Sequence, residues 1–470
     1  MTAFDDWVDE EARFAASAMS RAISATDLVK DRPGFGERVI PRPGSVIASP
    51  VLAAYDPDPD YFFHWYRDSA IVIDALRVAP AEALDKRTAL DRLREFVGFS
   101  RSLSRLDGRA FLRQDDFRRK VQPSFLQYVR PDDEIAAVFG AAVQAEARVN
   151  PDGTLDFTRW VRPQNDGSAL RVLALTRWRD ADADLDETLR AAMRELVISD
   201  LDFIRSRVGG SSFDIWEEER GYHYYTQLVQ AEALARGAEW LAEAGDGARA
   251  DACRSAGYEL VSKLDACWSA KEGYYRSRTG VAGGAPEKAL DISVILGVLH
   301  AGRAKGPHSV LDPRAQATLS ALEDLFDVEY AINRQRPPDR GAAMGRYARD
   351  VYYGGNPWYL ATLAAAEFHF KLAIAMQSGA EMVATNDNAR FRRRLSAAGG
   401  AGDSPAAAAI VRGDSFMRTV QAYTPASGDL SEQLDRATGG QTSAKHLAWS
   451  YAAFLTAVAS RRQACQAIRR

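Results

Sequence analysis

Cysteine is nearly absent. Cys253, Cys267 and Cys465 are the only three in 470 residues, too few for a disulfide framework and not spaced as metal ligands. Cys253 and Cys267 fall on one helical stripe with Gly257, Leu260 and Leu264, which reads as two buried thiols. The six histidines form no HxH or HxxxH pair, so nothing recruits a catalytic metal. Neither sign of charge dominates: a net charge of −4 leaves no basic face for nucleic acid and no polybasic patch for a membrane surface. Long apolar runs are missing too, which excludes a transmembrane stretch. The acidic N-terminus (Asp5, Asp6, Asp9, Glu10, Glu11) never reaches an apolar segment of signal-peptide length, so a cytoplasmic location is expected. Strand signals are equally scarce, the one convincing case being a short hairpin over residues 271–280.

What the chain has in quantity is helix. Hydrophobic residues make up 46% of it, ample for a core. A stripe at helical spacing runs from Trp7 through Phe14, Ala18, Ala22 and Ala25 and predicts a first helix ending near Val29. A long aromatic and charged loop then leads to Asp68, expected to N-cap a helix whose buried face is Ile71, Val72, Ala75 and Leu76. Further helices are predicted near residues 84–106, 168–179, 185–208, 228–241, 246–268, 291–301, 313–330, 357–376, 405–423 and 442–460. Residues 107–150 read as an elaborated loop with one helical patch, and 396–404 as a flexible connector within one domain spanning 1–470. About a dozen helices joined by alternating short and long connections, with no repeat of fixed period, fit a closed ring of helical hairpins. In such a ring every second loop falls on the same face.

The chemistry-bearing residues all lie in the long connections. Glu217 and Glu218 follow Trp216 in Phe213-Asp214-Ile215-Trp216-Glu217-Glu218-Glu219-Arg220, in a segment read as entering a helix, and Glu432 sits in Gly428-Asp429-Leu430-Ser431-Glu432-Gln433, also read as helix-leading. One carboxyl group can protonate a leaving oxygen while another activates water. The competing reading of either cluster is a solvated first helical turn. Sugars present apolar faces and a rim of hydroxyls, so a sugar site needs flat aromatics and charged hydrogen-bonding groups. Arg67 beside Asp68 offers a donor fork and an acceptor at one point, or else a structural ion pair; Trp160 and Trp358 are stacking surfaces, or else core.

Five stretches in order resemble the glucoamylases, glycoside hydrolase family 15. They are Pro59-Asp60-Tyr61-Phe62-Phe63-His64-Trp65-Tyr66-Arg67-Asp68, Trp160-Val161-Arg162-Pro163-Gln164-Asn165-Asp166-Gly167, Asp214-Ile215-Trp216-Glu217-Glu218, Gly345-Arg346-Tyr347 through Asp350 to Trp358, and Leu430-Ser431-Glu432-Gln433. The resemblance implies an all-α (α/α)6 barrel and an inverting, exo-acting hydrolase that releases β-glucose from non-reducing ends without a cofactor. It implies Glu217 as general acid, Glu432 as general base with Tyr61 placing the water, and Glu218 on the leaving-group side. Arg67, Asp68 and Arg346 would bind hydroxyls, and Trp65, Trp160, Trp216 and Trp358 would line the pocket. Glu219 has no counterpart and reads as a solvated helix-start charge. Neither a starch-binding module nor an N-terminal β-sandwich domain is recognisable, which favours soluble glucans or oligosaccharides as partners. The segment 107–146 is longer than usual and precedes the Trp160 motif, which the resemblance puts at the leaving-group side, so α-1,4 glucans, α-1,6 glucans and trehalose all stay open as substrates, as does a catalytically silent glucan-binding protein.

Overall fold

The computed structural model describes residues 2–53, 58–114, 117–181, 184–281, 283–400, 402 and 404–468. Twelve helices carry the architecture: α1 (Ala3–Ser20), α2 (Tyr66–Leu76), α3 (Lys86–Leu103), α4 (Gly167–Ala181), α5 (Glu187–Ser206), α6 (Tyr224–Glu243), α7 (Gly247–Leu264), α8 (Ser293–Ala301), α9 (Pro313–Glu329), α10 (Tyr359–Gln377), α11 (Pro405–Tyr423) and α12 (Ala448–Ile468). The even-numbered helices form a closed inner ring: α2 packs on α4, α4 on α6, α6 on α8, α8 on α10, α10 on α12, and α12 back on α2. The odd-numbered helices lie outside it, with α5 against α4, α7 against α6, α11 against α10 and α1 against α12. The result is an (α/α)6 barrel.

Side-chain pattern separates the two layers. Inner helix α10 is apolar all round, burying Leu360, Leu363, Phe368, Phe370 and Leu372. Contrary to the expectation that no such run occurs, among the described residues it is the one helix long and apolar enough to cross a membrane, and its place in the inner ring, covered on both layers, accounts for that composition. Outer helix α3 instead buries a single face through Leu93, Phe96, Val97 and Leu103. The termini differ as well. Every outer helix starts on a side chain that accepts a first-turn N–H, namely Thr2, Asp85, Asp186, Asp246, Asp312 and Ser404. Inner helices α2, α6, α8 and α10 start on Trp65, His223, Ile292 and Trp358, none of which supplies such a bond. Their first N–H groups bond instead to loop oxygens, Tyr66 to Ala147, Tyr224 to Ser277, Ser293 to Asp291 and Tyr359 to Glu432, and their positive dipole ends face the end of the barrel where the long connections gather.

Several local expectations are corrected. Asp68 does not cap α2, which starts two residues earlier, so its carboxylate is free for another role. The first helix stops at Ser20 because Ser24 takes a positive φ of 54° and Ile23 bridges to Val46. Strands are more frequent than the sequence suggests, though short: the described residues hold eleven, in five small sheets. The hairpin pairs Trp268–Ser269 with Tyr274–Tyr275, while Arg278–Thr279 joins Arg220–His223 in a different sheet. A strand therefore separates the Glu217 motif from α6, and the hairpin Gln433–Leu434 with Gln441–Thr442 separates Glu432 from α12. A helix over Ala389–Ala398 takes in the start of the supposed flexible connector, whose residues 401 and 403 lie outside the described ones. Cys253 and Cys267 are buried as expected.

Residues 107–150 are not loose loop. Short helices at Gly108–Gln114 and Asp132–Ala136 and several 3-10 turns wrap a second apolar cluster that includes Phe35, Phe99, Val121, Val129, Ile135 and Phe157. The antiparallel bridge between Val129 and Thr158 ties this unit to the loop preceding α4.

Candidate active site

A cavity of about 240 Å³ opens where the inner-helix N-termini meet, and every site residue named from the sequence lines it: Tyr61, Trp65, Arg67, Asp68, Trp160, Trp216, Glu217, Glu218, Arg346, Trp358 and Glu432. Ala48, Ile215, Tyr352, Leu447 and Trp449 complete the lining.

Glu217 sits on a tight turn built by Asp214. The Asp214 carboxylate accepts the backbone N–H groups of Glu218 (2.7 Å) and Glu219 (2.9 Å), and the Glu217 N–H donates to the Asp214 carbonyl (3.0 Å). The turn places Glu217 at φ 64°, a left-handed conformation that a non-glycine residue holds only where its surroundings impose it. Burial pushes the Asp214 carboxyl up, but the Lys288 ammonium at 2.9 Å, His223 and the backbone N–H of Glu219 together outweigh it and leave the group below the ordinary range. Two indoles and a guanidinium converge on the Glu217 side chain. Trp65 Nε1 donates to Oε1 (2.8 Å), Trp160 Nε1 to Oε2 (2.5 Å), and Arg67 Nη2 reaches Oε1 at 3.3 Å.

Glu218 points to a separate set of partners: Lys288 Nζ (2.6 Å), the Tyr347 hydroxyl (2.6 Å) and Arg346 Nη2 (2.9 Å). Arg346 is held by Asp350 through two bonds of 2.7 and 2.5 Å. Its guanidinium carbon lies 5.1 to 5.4 Å from the ring centres of Trp216, Tyr347, Tyr352 and Trp358. The loop closes because Gly355 takes φ 63° against the Asp350 carbonyl, where a Cβ would stand 1.7 Å from that oxygen. Trp216 is fixed by its own N–H, which reaches both Asp291 oxygens at 3.1 and 3.0 Å.

Glu432 approaches from the loop before α12 and shares no hydrogen-bond partner with Glu217. Tyr61 donates to its Oε1 (3.0 Å) and Ser443 Oγ to its Oε2, while the Tyr61 and Tyr352 hydroxyls are 2.6 Å apart. Burial pushes the Glu432 carboxyl up to about 7, against the pull of the Ser443 and Tyr61 hydrogen bonds.

Arg67 and Asp68 contact each other at 3.1 Å, yet Arg67 Nε and Nη1 and Asp68 Oδ2 are buried without a hydrogen-bond partner. Buried polar atoms in this state are rare in folded proteins, and here they cluster at the cavity wall, two donors beside an acceptor. A hydroxylated ligand satisfies both kinds. Glu219 does not behave as a solvated charge at a helix start: its carboxylate binds Arg278 Nε (2.6 Å) and the Ala285 N–H (3.1 Å), pinning the neighbouring loop.

Sequence reasoning passed over Tyr352, Ser443, Lys288 and Trp449. Tyr352 lies inside a stretch that was already singled out. Ser443 and Lys288 sit in unremarkable polar loops, and Trp449 belongs to a helical pattern, so only three-dimensional proximity reveals them.

A family profile described as "Glycosyl hydrolases family 15" matches residues 38–101 and 146–459. Glucoamylase 1 of Rhizopus oryzae is 27% identical over 89% of this chain and 68% of its own length. Glucoamylase P of Amorphotheca resinae is 31% identical over 88% of this chain and 64% of its own length. Among solved structures, the family 15 glucoamylase of Hypocrea jecorina superposes with a TM-score of 0.78 at 27% identity, covering 98% of this chain and 72% of that one.

Proposed function

The chain belongs to glycoside hydrolase family 15 and is a glucoamylase-like glycoside hydrolase; from that premise we propose that it is an inverting enzyme removing single glucose units from the non-reducing ends of soluble α-1,4 glucans and oligosaccharides. The observation that carries this reading is a pair of carboxylates, Glu217 and Glu432, brought from different loops into one cavity with separate sets of partners.

Glu217 protonates the glycosidic oxygen. Glu432 takes a proton from water, which Tyr61 orients by bonding both Glu432 and Tyr352. Arg67 and Asp68 supply the unpartnered donors and acceptor to the hydroxyls of the terminal glucose, with Arg346 adding a further contact. Glu218, backed by Lys288 and Tyr347, faces the leaving-group sugar, and Trp65, Trp160, Trp216 and Trp358 give flat surfaces to the ring faces. A water activated by one carboxylate while the other protonates the leaving group attacks from the opposite face, so no glucosyl-enzyme forms.

The test is stereochemical. Proton NMR of maltotriose hydrolysis at early times, before mutarotation, should show β-glucose first; α-glucose first, or a covalent adduct on Glu432, overturns the mechanism. Running isomaltotriose and trehalose alongside reads the linkage, with maltotriose expected to be the fastest. The acidic limb of kcat/KM follows from the same assignment. Glu432 works as a base only when ionised, and its carboxyl is raised from 4.5 to about 7, so kcat/KM should fall as pH drops through neutrality. A limb near pH 4 would show that Glu432 is not the group being titrated.

A further inference from the structure

Segment 102–145 is the one internal stretch left out between the two matched blocks of the family profile. It delivers one charged side chain into the protein next to the site. Arg130 is buried, its backbone N–H donates to the Phe157 carbonyl (2.9 Å), and its guanidinium reaches both oxygens of Glu146 at 3.0 and 3.4 Å. Glu146 also accepts Arg162 Nε (2.5 Å), and Arg162 Nη1 donates to the backbone carbonyl of Trp160 (2.8 Å). A parallel arm holds the ring. Arg148, anchored by Asp156 at 2.9 Å, places its guanidinium carbon 3.7 Å from the centre of the Trp160 indole. Arg162 links the two arms, since its Nη2 also lies 3.7 Å from Asp156.

The five charged side chains of this network are between 1% and 12% exposed. Excluding so many charges from water costs several kcal/mol per ion before pairing offsets it, so such a network is a poor source of stability and a good device for fixing register. What it fixes is Trp160, the donor to Glu217 Oε2. Trp160 is 40% exposed, meets one other aromatic ring, the edge of Trp65 at 6.3 Å, and still must aim its N–H at Glu217 Oε2.

We propose that Arg130, contributed by the inserted segment, is a positioning residue that holds Trp160 over Glu217 through Glu146 and Arg162, so that the insertion sets the leaving-group side of the site. This rests on the assignment of Glu217 and Trp160 made above. Arg130 touches neither substrate nor Glu217; its effect reaches the reaction only through the indole. The planar guanidinium spans both oxygens of Glu146, which a point-charge ammonium cannot reproduce.

The test compares maltotriose with α-glucosyl fluoride, which carries no sugar on the leaving-group side and whose departing fluoride needs the Glu217 proton less. R130M should lose about 10-fold in kcat/KM on maltotriose, in line with the sensitivity of catalysis to small misplacements, and less than about 2-fold on the fluoride. In a double-mutant cycle with W160F, adding R130M should cost nothing further on maltotriose, because the group it positions is already gone. Equal losses on both substrates, or independent losses in the cycle, overturn the proposal. If R130M does not accumulate as folded protein, R130K is judged by the same substrate ratio and the same cycle. A wild-type enzyme inactive on maltotriose would instead sink the glucan reading, so the two failures are distinguishable.

Discussion

Glu217→Gln is expected to lower kcat by about 10²- to 10⁴-fold while substrate affinity and fold survive. Glutamine keeps the side-chain length and one carbonyl oxygen, so it can still accept an N–H from Trp65 or Trp160, but it has no proton to give the leaving oxygen. The amide must turn its NH₂ group toward one of the two indole donors, which strains the site locally and leaves the barrel untouched. A mutant retaining more than about a tenth of wild-type kcat on maltotriose, measured with binding by calorimetry, would remove Glu217 from the role of acid.

Glu432→Gln should be as damaging to turnover and yet protect the fold at alkaline pH. Both of its partners, Tyr61 and Ser443, are hydroxyls that can reverse direction, so the amide can be accommodated. In the wild type the folded-state carboxyl is raised from 4.5 to about 7, which means that folding favours the protonated form. That preference is fully present below 4.5 and is lost as pH rises through 7, a swing of about 3 kcal/mol. Glutamine does not titrate. The stability of the mutant relative to wild type should therefore improve between pH 4.5 and pH 8, as read by urea unfolding at the two pH values. A mutant whose relative stability is the same at both would show that the carboxyl is not held neutral by burial. The two readouts together separate a base kept at the expense of stability from a residue kept for packing.

The inner and outer helices are legible in the sequence because each satisfies a strong local rule. A long apolar run marks α10, apolar periodicity marks α12, and a capping residue such as Asp246 marks where an outer helix begins. The cavity residues are legible because aromatics and charges concentrated in loops have no packing explanation. What stays hidden is non-local. The short strands are two to four residues long and are stabilised by partners far away in the chain, as with Arg278–Thr279 beside Arg220–His223. Asp68 reads as a cap because its neighbours look like a helix start, whereas the helix in fact begins at Tyr66 and the carboxylate is turned to the cavity. Glu219 reads as solvated because Arg278 and Ala285, its partners, are about sixty residues on. The second apolar cluster in 107–150 escapes for a related reason. Its buried members in that stretch are single valines and an isoleucine scattered among charges, and they meet only when Phe35 and Phe157 arrive from either side.

Closure of the inner ring has a temporal consequence. The cavity lining runs from Ala48 to Trp449, and the ring is completed only when α12 docks between α10 and α2. Helix α12 is also clamped to α1, by Arg461 to Asp5 (2.8 Å), Arg462 to Asp9 (2.7 Å) and the edge of Trp7 against Phe454. Until α12 has been made and docked, the chain therefore carries five inner helices with an open seam and a half-built pocket. The seam left open on α10 and α2 is strongly apolar, which is the kind of transiently exposed surface that favours aggregation before closure. The contacts between α1 and α12 are also among the most distant in sequence, so loop closure delays them, and the loop that carries Glu432 is seated at the same seam.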